Sequence, residues 1–292
     1  MKSKKIIALI LGAVLITAGF AGCQKSNVVE ENATAYFANF PDDKNVISAT
    51  DFLNKVAAGD SMVILDIRQA DAYAQGHVTG AINVPFGSAI ADNLKYIPND
   101  TPVYIYCYTG QTAAQTVALL NVAGIDATTV QSGFNNGISK VENYTQYIDT
   151  TAVSMPTKTY KVDSKIQEAV DNYCSDIDAA KGTDYANLNI SPATVKAALD
   201  ANNGEYYILS VRQAADYATA HIQGAVNIPF GKGMQESFSK LPKDQKIVVY
   251  CYTGQTASQT VAILRLLGYD AYNMSGGMNN GWIPAGYPTV TN

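Results

Sequence analysis

The sequence holds only two histidines and four cysteines, and they do not cluster. His77 and His221 lie far apart in the chain. The cysteines form neither a Cys-x-x-Cys pair nor a Cys/His group, which argues against a zinc site. No basic run occurs in a chain of net charge −5 and pI near 5.0, so the electrostatic footprint of a nucleic-acid binder is missing. Beyond the N-terminus no apolar stretch is long enough to span a bilayer. Charged residues make up 15% and hydrophobic residues 47%, a balance that excludes a disordered chain and supports a packed core.

What is present begins with a targeting pattern. Lys2, Lys4 and Lys5 precede an apolar stretch, Ile6 to Phe20, of signal-peptide length. It ends in Phe20-Ala21-Gly22-Cys23, which resembles the cleavage box of bacterial lipoproteins. That resemblance implies removal of residues 1–22 and acylation of Cys23, with residues 23–32 as a polar tether. The expected location is the cell envelope, with the membrane touched through the lipid anchor alone. Gln24 follows Cys23 where Asp does not, so in a Gram-negative cell the periplasmic face of the outer membrane is favoured.

With 292 residues, the length suits two domains of roughly 100–200 residues each. Self-similarity says the same. Cys107-Tyr-Thr-Gly-Gln-Thr-Ala113 recurs as Cys251-Tyr-Thr-Gly-Gln-Thr-Ala257. The spacing that carries Cys107 to Cys251 also carries Arg68 to Arg212, His77 to His221, Pro85 to Pro229 and Gly133 to Gly277. Copies of this length indicate a duplicated domain, not a solenoid. The expected division is domain one over 33–145, a linker over 146–164 and domain two over 165–292.

Each copy reads as α/β. Met62–Asp66, Val103–Tyr106, Tyr206–Ser210 and Ile247–Tyr250 are short apolar runs suited to buried strands. Helical patterns cover Ala49–Ala58, Thr112–Ala123, Thr194–Ala201 and Thr256–Leu267, with Gly124 and Gly268 as helix stops. Ala33–Phe40 and Ile166–Ala180 predict a leading helix for each copy. The alternation predicts a mainly parallel sheet flanked by helices.

Cys107 and Cys251 each follow a strand and precede a helix. A thiol there lies at the carboxyl end of the sheet, where open α/β sheets bind ligands, and faces the unpaired N–H groups of the helix start. Both features favour the thiolate, which is the nucleophilic form. Gly110 and Gly254 permit a tight turn, and Thr109, Thr112, Thr253 and Thr256 add hydroxyl donors. The expected result is an anion-binding loop, Tyr108, Thr109, Gly110, Gln111, Thr112 and Ala113 in copy one and Tyr252, Thr253, Gly254, Gln255, Thr256 and Ala257 in copy two, around a sulfur nucleophile.

These strings resemble the rhodanese active-site loop. Asp66-Ile-Arg68 is similar to the family's Asp-x-Arg. Gly76-His77-Val-Thr-Gly80-Ala81-Ile-Asn83-Val-Pro85 is similar to its Gly-His signature, and Gly276-Gly277 through Trp282 resembles its closing element. The resemblance implies two rhodanese-like domains, a cysteine persulfide on Cys107 and Cys251, and a small sulfur-containing anion or thiol as partner. It implies no metal or organic cofactor.

The departures also carry information. Where many active rhodaneses have an Arg at the fifth position after the Cys, this chain has Thr112 or Thr256, and neither loop contains a cation. Loss of a bidentate guanidinium weakens thiosulfate binding and argues against related phosphatase or arsenate-reductase chemistry. Copy two has Ser210 where copy one has Asp66, and Ala220 where copy one has Gly76. Arg68 and Arg212 are placed as substrate contacts or, preferably, in local ion pairs, Arg68 with Asp71 and Arg212 with Asp216. His77 and His221 are assigned to structural hydrogen bonding, and Cys174 and Trp282 to the core. The leading reading is a sulfurtransferase. The alternatives are thiol-based redox of chalcogen or oxyanion species such as selenite, with an exported redox partner, and a non-catalytic binding module.

Overall fold

The computed structural model describes residues 27–291; the expected signal peptide, Cys23 and the start of the tether lie outside them. Copy one runs α1 (Val28–Ala38), β1 (Val46–Ile47), α2 (Ala49–Ala58), β2 (Val63–Asp66), α3 (Ala70–Gln75), β3 (His77–Val78), β4 (Ala81–Asn83), α4 (Ser88–Asn93), β5 (Val103–Tyr106), α5 (Gln111–Val122), β6 (Ala127–Val130), α6 (Gly133–Asn136) and β7 (Ile148–Asp149). Copy two runs α7 (Ser164–Ala179), β8 (Asn189–Ile190), α8 (Pro192–Ala201), β9 (Tyr206–Ser210), α9 (Ala214–Thr219), β10 (Val226–Asn227), β11 (Lys246–Tyr250), α10 (Gln255–Leu266) and β12 (Ala271–Met274).

The expected α/β class is seen twice. Each copy has a five-stranded, all-parallel sheet, ordered β1-β6-β5-β2-β4 in copy one and β8-β12-β11-β9-β10 in copy two. Local chemistry sets the ends of the elements. The Ser48 hydroxyl accepts from Asp51 N at 3.0 Å to open α2, and Ser191 does the same for Thr194 N ahead of Pro192 in α8. β5 and β11 are the middle strands, so both cysteines emerge from the centre of a sheet.

Three apolar layers hold the molecule. One lies on the outer face of each sheet, around Phe52, Leu53 and Ile138 in copy one and Val195, Met278 and Trp282 in copy two. The third is shared and lies between the copies, where α5 packs against α10. Neither helix offers a solvent face: Ala113 to Leu120 are all buried, as are Gln255 and Ala257 to Leu264. Helices buried all round need a neighbour on every side, and the opposite copy supplies the one that their own sheet does not.

Several boundaries differ from expectation. α1 begins at Val28, so residues 28–32 are helical and not tether; Val29 and Ala33, one turn apart, are both buried. Copy one extends beyond residue 145, because β7 pairs with β3 and Val153 bridges to Ile82. Part of the expected linker is therefore folded onto copy one. The leading helices exist but reach across to the opposite copies. Phe37 and Phe40 of α1 pack on Phe230 of copy two, and Phe37 also meets Phe238. α7 packs on α4 of copy one, with Gln167 Nε2 donating to the Ala91 carbonyl at 3.1 Å.

Candidate active site

The loop after β5 turns sharply at Gly110, whose φ of +88° lies in the left-handed region, and α5 starts at the next residue. Gly254 repeats this at +87° ahead of α10. The turn aims backbone donors at sulfur. Gly110 N lies 3.1 Å and Ala113 N 3.4 Å from Cys107 Sγ; Gly254 N lies 3.1 Å from Cys251 Sγ. The remaining N–H groups of the first helical turn have no helical carbonyl to bond. Cys107 and Cys251 are 3% and 2% exposed, so each sulfur sits at the floor of its loop. Tyr108 and Thr109 are exposed in copy one, Tyr252 and Thr253 half-buried in copy two, and Thr112 and Thr256 half-buried.

A second turn braces each loop. Phe134 N and Asn135 N donate to the carbonyls of Cys107 and Tyr108 at 2.8 Å. Met278 N and Asn279 N donate to those of Cys251 and Tyr252 at 2.9 and 2.7 Å. The approach is close enough that only glycine fits at the turn. A Cβ on Gly133 would lie 2.6 Å from the Cys107 carbonyl oxygen, and one on Gly277 would lie 2.6 Å from that of Cys251.

The side chains of Gln111 and Gln255 reach across to the opposite copy, although Gln111 Nε2 also donates to Thr109 Oγ1 of its own loop at 3.2 Å. Gln111 Oε1 accepts from Asn273 Nδ2 at 2.8 Å and from Gly276 N at 3.2 Å. Gln255 Oε1 accepts from Ser132 N at 3.2 Å, while Nε2 donates to Thr129 Oγ1 and the Val130 carbonyl. These two side chains are removed from the anion cradle.

The arginines also depart from expectation. Arg68 pairs with Asp66, not Asp71: Nη2 reaches Oδ2 at 2.6 Å, Nε reaches both carboxylate oxygens, and Nη2 also donates to the Gly76 carbonyl. The pair is buried and the guanidinium lies 4.0 Å from the Phe134 ring centroid. Two residues apart in an extended segment, Asp66 and Arg68 project the same way, and sequence reasoning passed over that shorter spacing. Arg212 does not pair with Asp216, which instead accepts from the Tyr252 hydroxyl. Among the described residues no carboxylate bridges Arg212. Nη1 donates to the Ala220 carbonyl at 2.6 Å, Nε is buried without a partner, and the guanidinium lies 5.2 Å from the Tyr252 ring centroid. An uncompensated cation therefore stands beside the Cys251 loop, and a neutralised one beside the Cys107 loop.

A cavity of about 540 Å³ opens beside loop one, lined among others by Arg68, Tyr108, Phe134 and Tyr144; Cys107 is not in its wall. His77 is fully buried, stacks on Tyr73 and faces the Tyr73 and Thr151 carbonyls, and His221 faces the Tyr217 carbonyl. Both are away from the sulfurs' bonding partners. Cys174 is buried in α7, and burial pushes its thiol up to about 12. Trp282 is buried, with Nε1 donating to the Pro288 carbonyl. Among the described residues no three His, Cys, Asp or Glu side chains gather as a metal site, and no helix is long and apolar enough to cross a membrane.

Comparison with known proteins bears on this arrangement. The profile of the rhodanese-like domain matches residues 48–140 and 191–283. The thiosulfate sulfurtransferase GlpE of Pseudomonas putida strain GB-1 is 34% identical over 76 residues, 26% of this chain and 68% of that protein. The thiosulfate sulfurtransferase PspE of Escherichia coli strain K12 is 32% identical over 73 residues, 25% of this chain and 70% of that protein. The probable adenylyltransferase/sulfurtransferase MoeZ of Mycobacterium tuberculosis is 30% identical over 142 residues; the match spans 44% of this chain and 35% of that protein.

Proposed function

The chain belongs to the rhodanese-like family, with two such domains, and from that membership we propose that it is a sulfurtransferase in which Cys107 and Cys251 each carry sulfane sulfur as a persulfide. The relatives named as sulfurtransferases support the family-level activity. The observation that carries the mechanism is the aim of backbone N–H groups at both sulfurs.

The steps follow from that geometry. The reacting form is the thiolate, and the N–H donors aimed at sulfur complement its charge. The thiolate attacks the outer sulfur of a donor such as thiosulfate; a Cys–S bond forms, the donor's S–S bond breaks, and sulfite leaves with the electron pair. An acceptor nucleophile then attacks the outer persulfide sulfur, takes it, and returns the thiolate. One difficult transfer is split into two. Because both sulfurs sit at a floor, the donor must be narrow enough to present its terminal sulfur. Neither loop has a cation, so backbone amides take the place of a guanidinium around the donor's charge.

Sulfur loading tests this. Incubation with thiosulfate or a persulfide donor should add one sulfur atom per reactive cysteine by mass, and cyanide should release it as thiocyanate. Cys107→Ser and Cys251→Ser should each keep one loaded site, and the double variant none. No loading with any donor would leave the non-catalytic module as the reading, and loading by selenite alone would favour chalcogen chemistry.

Export and acylation at Cys23 are a further part of the proposal, supported by the sequence pattern alone. Cys23→Ser should move the protein from the membrane fraction to the soluble fraction. Unchanged membrane association would refute the anchor.

A further inference from the structure

Gln111 is a loop-one residue whose side chain joins the two copies: its Nε2 donates to Thr109 Oγ1 of its own loop at 3.2 Å, while its oxygen bonds in copy two. Its Oε1 takes hydrogen bonds from Asn273 Nδ2 and from Gly276 N. Gly276 opens the turn whose next residues, Gly277 to Asn279, brace the Cys251 loop through its own carbonyls. Gln255 mirrors this. Its amide bonds Thr129 Oγ1, the Val130 carbonyl and Ser132 N of copy one. Ser132 precedes Gly133, whose turn braces the Cys107 loop. The contact is tight in both directions. A Cβ on Gly110 would lie 2.9 Å from Gln255 Nε2, and one on Gly254 would lie 2.5 Å from Gln111 Oε1.

The four segments thus form a closed circuit: loop one holds the brace of loop two, and loop two holds the brace of loop one. Gln255 is buried, so its amide has no solvent alternative if those partners move. The bracing turns contact loop backbone within two residues of each sulfur, so a displaced turn redirects the N–H donors that define the site.

We propose that Gln111 and Gln255 are reciprocal positioning residues, each setting the geometry of the nucleophile in the opposite copy, so that the two sulfur sites operate as one coupled unit. The proposal rests on the sulfur-transfer reading for its functional meaning, and its test is separable from that reading.

The test isolates one sulfur at a time. In Cys107→Ser protein, loop one has no nucleophile, yet adding Gln111→Leu should slow iodoacetamide alkylation and sulfur loading at Cys251 about tenfold, and should move the pH profile of alkylation. Gln111→Glu keeps the accepting oxygen and should restore most of the rate. Gln255→Leu in Cys251→Ser protein should do the same to Cys107. Urea unfolding confirms that each variant is folded, and the two directions are independent should one variant not fold. Alkylation rates and pH profiles within twofold of the parents in folded variants overturn the proposal. Slowed alkylation in a parent that takes no sulfur from any donor leaves the coupling standing and defeats the sulfur-transfer reading instead.

Discussion

The Tyr36 hydroxyl donates to Gln259 Oε1 at 2.7 Å, joining the leading helix of copy one to the helix after the copy-two loop. Tyr173 does the same to Gln115 Oε1 at 2.8 Å in the opposite sense. Gln115 and Gln259 are fully buried, so each oxygen depends on its tyrosine. Tyr36→Phe and Tyr173→Phe should each cost about 1–3 kcal/mol, the penalty of an unpaired buried acceptor. Because the copies share an apolar layer, urea unfolding followed by fluorescence and by circular dichroism should show one transition shifted to lower urea. Two separate transitions would mean that the shared layer does not couple the copies.

The contrast between Asp66 and Ser210 gives a second expectation. Arg68 is held by a buried carboxylate, and removing one partner of such a pair costs about 3–5 kcal/mol. Asp66→Asn should show a loss of that order in urea unfolding. Ser210→Asp should supply the acceptor that Arg212 Nε lacks and raise stability by about 1–2 kcal/mol. It should also slow loading of Cys251 by an anionic donor, since the cation beside that loop is then neutralised. A faster reaction would show that the free charge of Arg212 plays no part in donor binding.

Much of this architecture was legible in the sequence because it is set locally. Val103–Tyr106 and Tyr206–Ser210 are strands at those bounds, and α2 spans Ala49–Ala58, since apolar runs, Ser caps and Gly stops act within a few residues. The position of both cysteines between strand and helix was likewise readable. What was not legible is how the copies face each other. The Gln111 and Gln255 side chains read as loop residues, and only the packing of α5 on α10 sends them across. One signal was available: Gln111–Val122 carries no charge at all, as expected of a helix with no exposed side. The Arg68 pairing was missed because helical spacing was applied to a residue at a strand end.

Alkaline pH should weaken the fold by a route traceable to α7. Burial pushes the Cys174 thiol from its ordinary 9.0 up to about 12, and burial also raises the hydroxyls of Tyr36 and Tyr173. The folded state holds these protons more tightly than the unfolded chain. The thiol's contribution is complete below its unfolded value, about 9, and is lost as pH rises toward about 12, whereas those of the two hydroxyls begin to be lost only above about 10. Unfolding free energy should therefore fall through that window, by up to about 1.4 kcal/mol per pH unit for each fully shifted group. Cys174→Ala should flatten the slope relative to the parent between about pH 9 and pH 11. Equal slopes would show that the buried thiol does not contribute.

The glycines that brace the loops allow each site to be damaged separately. Gly133 has φ of +62°, and a Cβ there would lie 2.6 Å from both the Cys107 carbonyl oxygen and Gly110 N. Those neighbours are backbone, so relief requires the loop itself to move, and Gly110 N is one of the donors aimed at Cys107 Sγ. Displacement of a catalytic group by about 1 Å can cost on the order of a hundredfold in rate. Gly133→Ala should thus lower sulfur loading at Cys107 by tenfold or more, about that order. The effect on Cys251 should be smaller, because it arrives only at second hand, through Ser132 and Gln255 and through Gln111 and Gly276. Gly277→Ala should show the reverse preference, because its Cβ would strike the Cys251 carbonyl and Gly254 N. Mass spectrometry of the two active-site peptides after brief donor exposure reads both sites in one sample. Equal loss at both cysteines in each variant would point to general loosening of the shared core, whereas no loss at either would show that the braces do not set the direction of the sulfur-facing amides.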